Sequence, residues 1–353
     1  MSESPCDMRW QILCASPSNG SSEFAGTVIL VLESGDEGVY GVIINREAGK
    51  RLKDFHPEYS GEAIGECKIY DGGPDDKKFL SMSANYVEDD NIRLVFGIPP
   101  GRLKKILKTD PDAQVGIFDG CTSIDADTLE DEIGRGLWFF EEVGLEYLMA
   151  PLEDKWAQAI RAHYSKLLQN EGGCDERNWT FIAASPNYSG PEFEEAVIML
   201  MDEDENGSRG VIINKPEYKK LGELKPEFAG KKIGEFVALN GGPSDKDAVI
   251  YGASYAEDKD NISFSLGIPF ERAAEMSESD PTTRGAAIFG HVEWAPGQLQ
   301  AEIDDGMWFS VETDMNKFLT LNPEDKWPVL ALIKFPQFRE LKKPSFESFK
   351  SLN

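Results

Sequence analysis

Residues Gly41 to Asn45 read GVIIN, and residues Gly210 to Asn214 read GVIIN again. Val and Ile are what any fully covered strand uses, so five matching letters alone could belong to two unrelated strands. The flanking sequence decides. ASP at Ala15 to Pro17 returns at Ala184 to Pro186, and GGP at Gly72 to Pro74 returns at Gly241 to Pro243, both at the 169-residue offset of GVIIN. Further on, GIP at Gly97 and Gly267, DP at Asp110 and Asp280, and LWFF at Leu137 against MWFS at Met307 stand 170 apart. EDKW at Glu153 and Glu324 closes the series at 171. Landmarks kept in one order with so little drift mean one long unit written twice.

The unit is far longer than solenoid periods of about 20 to 50 residues, so the repeat is a domain duplication. A chain of 353 residues accommodates two domains, each able to bury its own core. Copy 1 is placed at 10–169, a linker at 170–177, where the sequence is polar and glycine-containing, and copy 2 at 178–353 with a C-terminal tail. Each copy opens with an apolar hairpin, TVILVLE and GVYGVIIN in the first, AVIMLMD and RGVIIN in the second. Asn206-Gly207 is the tight-turn signal of the second hairpin. Pro269 is expected to open a helix through FERAAEM, and QLQAEI reads as another, with Leu299 and Ile303 on one face. The class expected is α+β.

Hydrophobic residues make up 41% and charged residues 28%, the composition of a folded globular chain. A formal net charge of -27, from 63 acidic and 36 basic residues, argues against affinity for phosphate backbones or anionic membrane surfaces. The segment from Lys334 onward is locally basic and carries Phe335, Phe338, Phe346 and Phe349, which reads as a tail docked on the preceding domain. Cys6, Cys14, Cys67, Cys121 and Cys174 form no C-x-x-C pair, so neither a disulfide framework nor a zinc knuckle is written here. The N-terminus lacks signal-peptide regions and no apolar run reaches membrane-spanning length, so the expected location is the cytoplasm, away from any membrane.

The series PEFEEAVIMLMDEDENGSRGVIINKP, LNGGPSDKD, IFGHVEWAPGQLQAEIDDGMWFS and EDKW in copy 2 resembles the AlgH/YqgE family of bacterial proteins. Copy 1 keeps GVIINR, YDGGP, LEDEI and LWFF, but reads SIDADTLEDEI where copy 2 reads EWAPGQLQAEI. The resemblance implies a fold for each copy, a bifurcated β-sheet closing into a pseudo-barrel flanked by helices. It implies no accepted reaction. Some members carry a transcription-regulator label, and the acidic balance here argues against direct DNA contact.

Several residues are candidates for ligand contact. Gly241, Gly242 and Pro243 follow an apolar strand and form either a tight turn or a ligand cradle, without the G-x-x-x-x-G-K-S/T of a phosphate loop. Asn214, like Asn45, either satisfies loose backbone groups or meets a ligand, and Lys215 offers a charge to an anion or to solvent. The segment His291 to Trp308 is the strongest candidate. There Pro296 and Gly297 precede a helix start suited to an anion, with His291, Trp294 and Gln298 close in sequence. The competing reading makes Trp294 and Trp308 core or domain-interface aromatics and Pro296 a good first helical residue. Copy 1 replaces Trp294, Pro296, Gly297 and Gln298 by Ile124, Ala126, Asp127 and Thr128, so a site of this kind would belong to copy 2 alone.

His56, His163 and His291 sit in no H-E-x-x-H or G-x-S-x-G pattern, and no catalytic triad, metal centre or cofactor motif is visible. The leading expectation is a non-catalytic protein that binds a partner protein or small molecule. One alternative is an enzyme using His291, Gln298 and Glu302 for acid/base work. A second is a transcriptional regulator acting without strong DNA contact.

Overall fold

The duplicated landmarks reappear as duplicated elements. The computed structural model describes residues 10–20, 22–88, 91–169, 181–188, 190–256, 262–280, 283–311 and 313–335. The linker at 170–177 and the tail beyond Phe335 lie outside the described residues. Two compact units form, divided at Ile160 and Arg161.

The first unit runs β1 (Trp10–Ala15), β2 (Val28–Gly35), β3 (Gly38–Ile43), β4 (Glu47–Arg51), α1 (Leu52–Phe55), β5 (Lys68–Asp71), β6 (Asp75–Glu88) and β7 (Asn91–Val95). It continues with α2 (Pro100–Thr109), β8 (Gln114–Asp125), α3 (Ala126–Gly134), β9 (Trp138–Val143), α4 (Leu145–Met149) and α5 (Leu152–Leu167), the helix within which the division falls. The second repeats the order: β10 (Phe181–Ala184), β11 (Val197–Asp204), β12 (Gly207–Ile212), β13 (Pro216–Lys220), α6 (Leu221–Leu224), β14 (Val237–Asn240), β15 (Ser244–Ala256) and β16 (Ile262–Ile268). Then come α7 (Phe270–Ser279), β17 (Arg284–Trp294), α8 (Gln298–Asp304), β18 (Trp308–Phe309), α9 (Met315–Thr320) and α10 (Pro323–Lys334). No helix among the described residues is long and apolar enough to cross a membrane.

Each unit holds a nine-stranded mixed sheet with the same path, β4-β5-β8-β3-β2-β1-β9 in the first and β13-β14-β17-β12-β11-β10-β18 in the second. The long strand is where the sheet forks. In unit 2 the first part of β17 pairs in parallel with β14, Leu239 opposite Ile288, and antiparallel with β15, Ser254 opposite Arg284. Its last part turns to β12, with Gly210 opposite Val292. The α+β class and the bifurcated sheet are therefore as the resemblance implies, with one part curled into a half-barrel.

The GGP triplet forms the joint of this fork. Gly241 donates its amide to Phe289 O at 2.7 Å and accepts from Ile212 N at 2.9 Å, and a Cβ there would lie 2.4 Å from Gly290 O. Only glycine permits that approach. The Asn206-Gly207 signal locates its hairpin correctly but for another reason. Gly207 already pairs with Asp204, and it is glycine because a Cβ would meet Trp294 O at 2.1 Å.

Each branch buries one face under helices, as strand alternation requires. In unit 2 one core joins Ile182, Ile198, Ile212, Val292, Leu299 and Trp308, and the other joins Leu221, Ile233, Phe236, Ala273 and Ala287. Helix α10 is fixed by its tryptophan: Trp327 Nε1 donates to Ala184 O at 2.7 Å, as Trp156 does to Ala15 O at 2.7 Å in unit 1. This bond explains the W of EDKW. Its lysine has an equally local duty. Lys155 Nζ donates to the carbonyls of Tyr147, Leu148 and Ala150 at 2.8–2.9 Å, closing the end of α4.

Candidate functional site

The His291–Trp308 segment is a hydrogen-bonded cluster centred on Glu302. Its Oε2 accepts from Trp294 Nε1 at 2.9 Å and from Trp308 Nε1 at 2.8 Å, while Oε1 accepts from Gln298 Nε2 at 2.8 Å. Gln298 Oε1 accepts in turn from Ala295 N at 3.0 Å, which closes the turn leading into α8. Burial pushes the Glu302 pKa up, but the bonds from Trp308, Gln298 and Trp294 outweigh it and hold the carboxyl below its ordinary value. Both indoles are buried, Trp294 at 5% exposure. His291 Nε2 meets Glu293 Oε1 at 2.9 Å, and His291 shares no hydrogen bond with Glu302 among the described residues. Gly297, at φ +76°, leads into a helix of only seven residues.

Copy 1 builds the same corner with other parts. Trp138 Nε1 donates to Glu132 Oε2 at 2.8 Å, and Asp125 caps α3 by accepting from Thr128 N at 3.0 Å. The rewriting of WAPGQL into IDADTL thus replaces the turn closed by Gln298 with a helix cap from Asp125 and removes one indole.

Asn214 is a backbone clasp. Its Oδ1 accepts from Val197 N at 2.7 Å and its Nδ2 donates to Glu195 O at 2.8 Å. Asn45 does the same with Val28 N and Gly26 O, both at 2.8 Å. Lys215 Nζ donates to Glu194 O, and burial lowers its pKa against the pull of Glu195 and Glu194. Gly241, Gly242 and Pro243 lie at the fork, where Gly242 N donates to Asn240 Oδ1 at 3.2 Å. The structure brings Trp294, Gln298 and Glu302 together. It sets the GGP triplet between the strand end at Asn214 and Lys215, where Asn240 N donates to Lys215 O at 2.8 Å, and the backbone of His291, which a Cβ on Gly242 would meet at 2.3 Å.

A larger concavity lies elsewhere in unit 2, at about 780 Å³, which is within the range of small-molecule sites. Its floor is one face of β13-β14-β17-β15-β16, and α6 and α7 cover the other face. Register places Pro216 and Lys220 beside Leu239 and Val237, those two beside Ile288 and Ala286, and Arg284 beside Ser254, which pairs with Phe264. All of these line the cavity. Residues Leu319 to Glu324, from the end of α9 to the start of α10, form the opposite wall with Lys326. Lys326 is 4% exposed, donates to Leu319 O at 3.3 Å and to Leu321 O, and burial brings its pKa down to about 8.

Tyr218 stands at the rim, 70% exposed, with its backbone at φ +54°. Its counterpart in copy 1 is Gly49 at φ +68°. The irregular pairing between β13 and β14 demands this left-handed residue, and a tyrosine there costs about 1–2 kcal/mol that a glycine does not. Burial raises the Tyr218 pKa and Glu324 adds to it.

The equivalent hollow of unit 1 measures only about 200 Å³. Tyr70 and Phe118, at the positions of Leu239 and Ile288, fill it with rings whose centroids lie 5.6 Å apart. Val115 replaces Gly285, and Gln114 replaces Arg284. Comparing the copies for motifs hides this difference. It emerges from comparing side-chain size along the outward-facing alternation of β14 and β17 with that of β5 and β8.

A family model described as AlgH-like matches residues 12–167 and again residues 181–333. A UPF0301 protein of Streptomyces coelicolor is 31% identical over 157 residues, covering 41% of this chain and 80% of that protein. A UPF0301 protein of Xanthomonas campestris is 26% identical over 160 residues, covering 42% and 85%. The solution structure of AlgH from Pseudomonas aeruginosa is 21% identical and covers 45% of this chain and 88% of that one, with a TM-score of 0.34. Each of these covers less than half of the tandem chain and most of itself.

Proposed function

The chain belongs to the AlgH-like family, as two tandem copies of its unit, and on that premise we propose that it is a non-catalytic binding protein. Copy 2 takes a small molecule into the cavity on β13-β14-β17-β15-β16, and copy 1 serves as a filled, structural counterpart. One observation carries this reading: at equivalent positions of one fold, the hollow is about 780 Å³ in copy 2 and about 200 Å³ in copy 1. Packing alone gives no reason to keep a hollow of that size, because its walls leave apolar sheet residues such as Leu239 and Ile288 open to water. The alternative of acid/base catalysis by His291, Gln298 and Glu302 needs groups free to meet a substrate, and these are bonded to Glu293, Ala295 and the two indoles. With a net charge of -27, nucleic acid is not the partner proposed.

The test is a titration of the full chain with N-phenyl-1-naphthylamine, an uncharged fluorophore that brightens in apolar surroundings. Saturable binding to the wild-type protein is expected. The variant Leu239→Tyr/Ile288→Phe, which installs the pair found in copy 1, should remain folded and lose that binding. Equal brightening in both proteins, or none in the wild type, would sink the proposal. Retention of the signal in Leu239→Tyr/Ile288→Phe but its loss in Trp294→Ala/Gln298→Ala would move the site to the His291 segment.

A further inference from the structure

The reading of the copy 2 cavity as a binding site leaves open what fills it, and the charges on its wall narrow the answer. Lys220 is paired with Glu235, and Glu223 adds to the field on the same ammonium. Lys326 spends two N–H groups on carbonyls and has Glu324 and Asp325 close enough to act on it. Both wall carboxylates, Glu223 and Glu324, are thus associated with lysines. Two cations remain, Lys219 and Arg284, and neither has a carboxylate partner among the described residues.

Arg284 is peculiar to copy 2, and so are the surroundings of Lys219. The counterpart of Arg284 is the neutral Gln114. The counterpart of Lys219 is Lys50, whose ammonium stands 4.7 Å above the ring of Phe55; in copy 2 that ring is replaced by Leu224. Copy 2 therefore gained one cation, Arg284, and lost the ring that covers the lysine of copy 1, and among the described residues neither charge meets a carboxylate in a chain of net charge -27. A guanidinium presents a planar fork matched to a carboxylate, and Lys219, on the lining of the same cavity, carries a mobile second donor. Below them the sheet face is apolar at Val237, Leu239, Ala286, Ile288 and Phe264, with Ser254 beside Arg284.

We propose that the copy 2 cavity takes a free amphiphile, its apolar chain on Leu239, Ile288 and Phe264 and its single carboxylate at Arg284 and Lys219. This rests on the cavity being a binding site, and the test separates the two claims. Decanoate and decan-1-ol share an apolar body and differ in the anionic head. In displacement of N-phenyl-1-naphthylamine from the full chain at low salt, decanoate should compete about tenfold better than decanol, as expected for a partly exposed charge-assisted contact. Arg284→Gln, which restores the copy 1 residue, should erase that advantage and leave the affinity for decanol and for the fluorophore unchanged. High salt should weaken decanoate alone.

Equal competition by the two ligands, or an unaltered decanoate affinity in Arg284→Gln/Lys219→Gln, would overturn the anionic head while the cavity reading stands. A wild-type protein that does not bind the fluorophore overturns the cavity reading, and this inference with it. Co-sedimentation with phosphatidylglycerol vesicles should not exceed that with phosphatidylcholine vesicles. Vesicle binding that depends on Arg284, without displacement by decanoate, would assign the cations to a membrane lipid and refute a free ligand.

Discussion

Replacing Glu302 by alanine should destabilise unit 2 well beyond an ordinary surface substitution. One carboxylate oxygen accepts from the indoles of Trp294 and Trp308, at 2.9 and 2.8 Å, and both rings are buried. Removing the carboxylate leaves two buried N–H donors unpaired, and each costs about 1–3 kcal/mol. Entry of water into the vacated space relieves part of this, so a loss of about 2–4 kcal/mol is expected for Glu302→Ala. Copy 1 supplies the control. Glu132 accepts from a single indole, Trp138 at 2.8 Å, so Glu132→Ala should cost about 1–2 kcal/mol. Urea unfolding followed by tryptophan fluorescence measures both, with hydrogen exchange assigning each loss to its unit. A loss below about 1 kcal/mol for Glu302→Ala, or one no larger than for Glu132→Ala, would refute the view that this cluster is structural.

Gly285→Ala should cost about 1–3 kcal/mol, since its Cβ would fall 2.2 Å from the Phe236 ring; Phe236→Cys/Gly285→Val, the pair present in copy 1, should regain much of that in thermal melts. Asn214→Ala and Asn45→Ala should each lose about 1–3 kcal/mol in urea, because each breaks a bidentate clasp on the backbone without touching the cavity. The Glu302 pKa is lowered in the fold, so its contribution is full above the unfolded value, near 4.5, and is lost as pH falls through the folded one. The difference in stability between wild type and Glu302→Gln, measured from pH 6 to pH 3, should therefore shrink with acid; a constant difference would contradict the pairing.

The duplication was fully legible in the sequence, because landmarks such as GGP, EDKW and the W of MWFS are joints of the fold. Gly241 must approach Gly290, and Trp327 must reach Ala184, so drift at these positions is costly. The helices through FERAAEM and QLQAEI were equally clear from their openings at Pro269 and Gly297. What the letters around His291 suggested as a possible ligand segment is, in three dimensions, a set of side chains bonded to one another. Proximity in sequence made Trp294 and Gln298 conspicuous, but sequence does not reveal that Glu302, further along, accepts from both.

The cavity was invisible for the opposite reason. Its lining comes from two antiparallel pairs, β13-β14 and β15-β16, that only β17 joins, and from a segment that follows β18. Its defining residues, Leu239, Gly285, Ala286 and Ile288, are ordinary apolar or small residues without any motif. Only their size relative to Tyr70, Val115 and Phe118 marks them, and that contrast has meaning once the outward face of the sheet is known. Tyr218 in place of Gly49 was the nearest thing to a signal, since a left-handed backbone position seldom carries an aromatic residue.

The most direct measurement is the position of bromine in anomalous difference maps of crystals soaked with 10-bromodecanoate. The account predicts one bromine per chain, deep in the copy 2 cavity against Ile288 and Leu321, with the carboxylate at Arg284. Bromine beside His291 and Gln298, equal occupancy in the hollow around Tyr70 and Phe118, or an empty cavity in saturated crystals would contradict it.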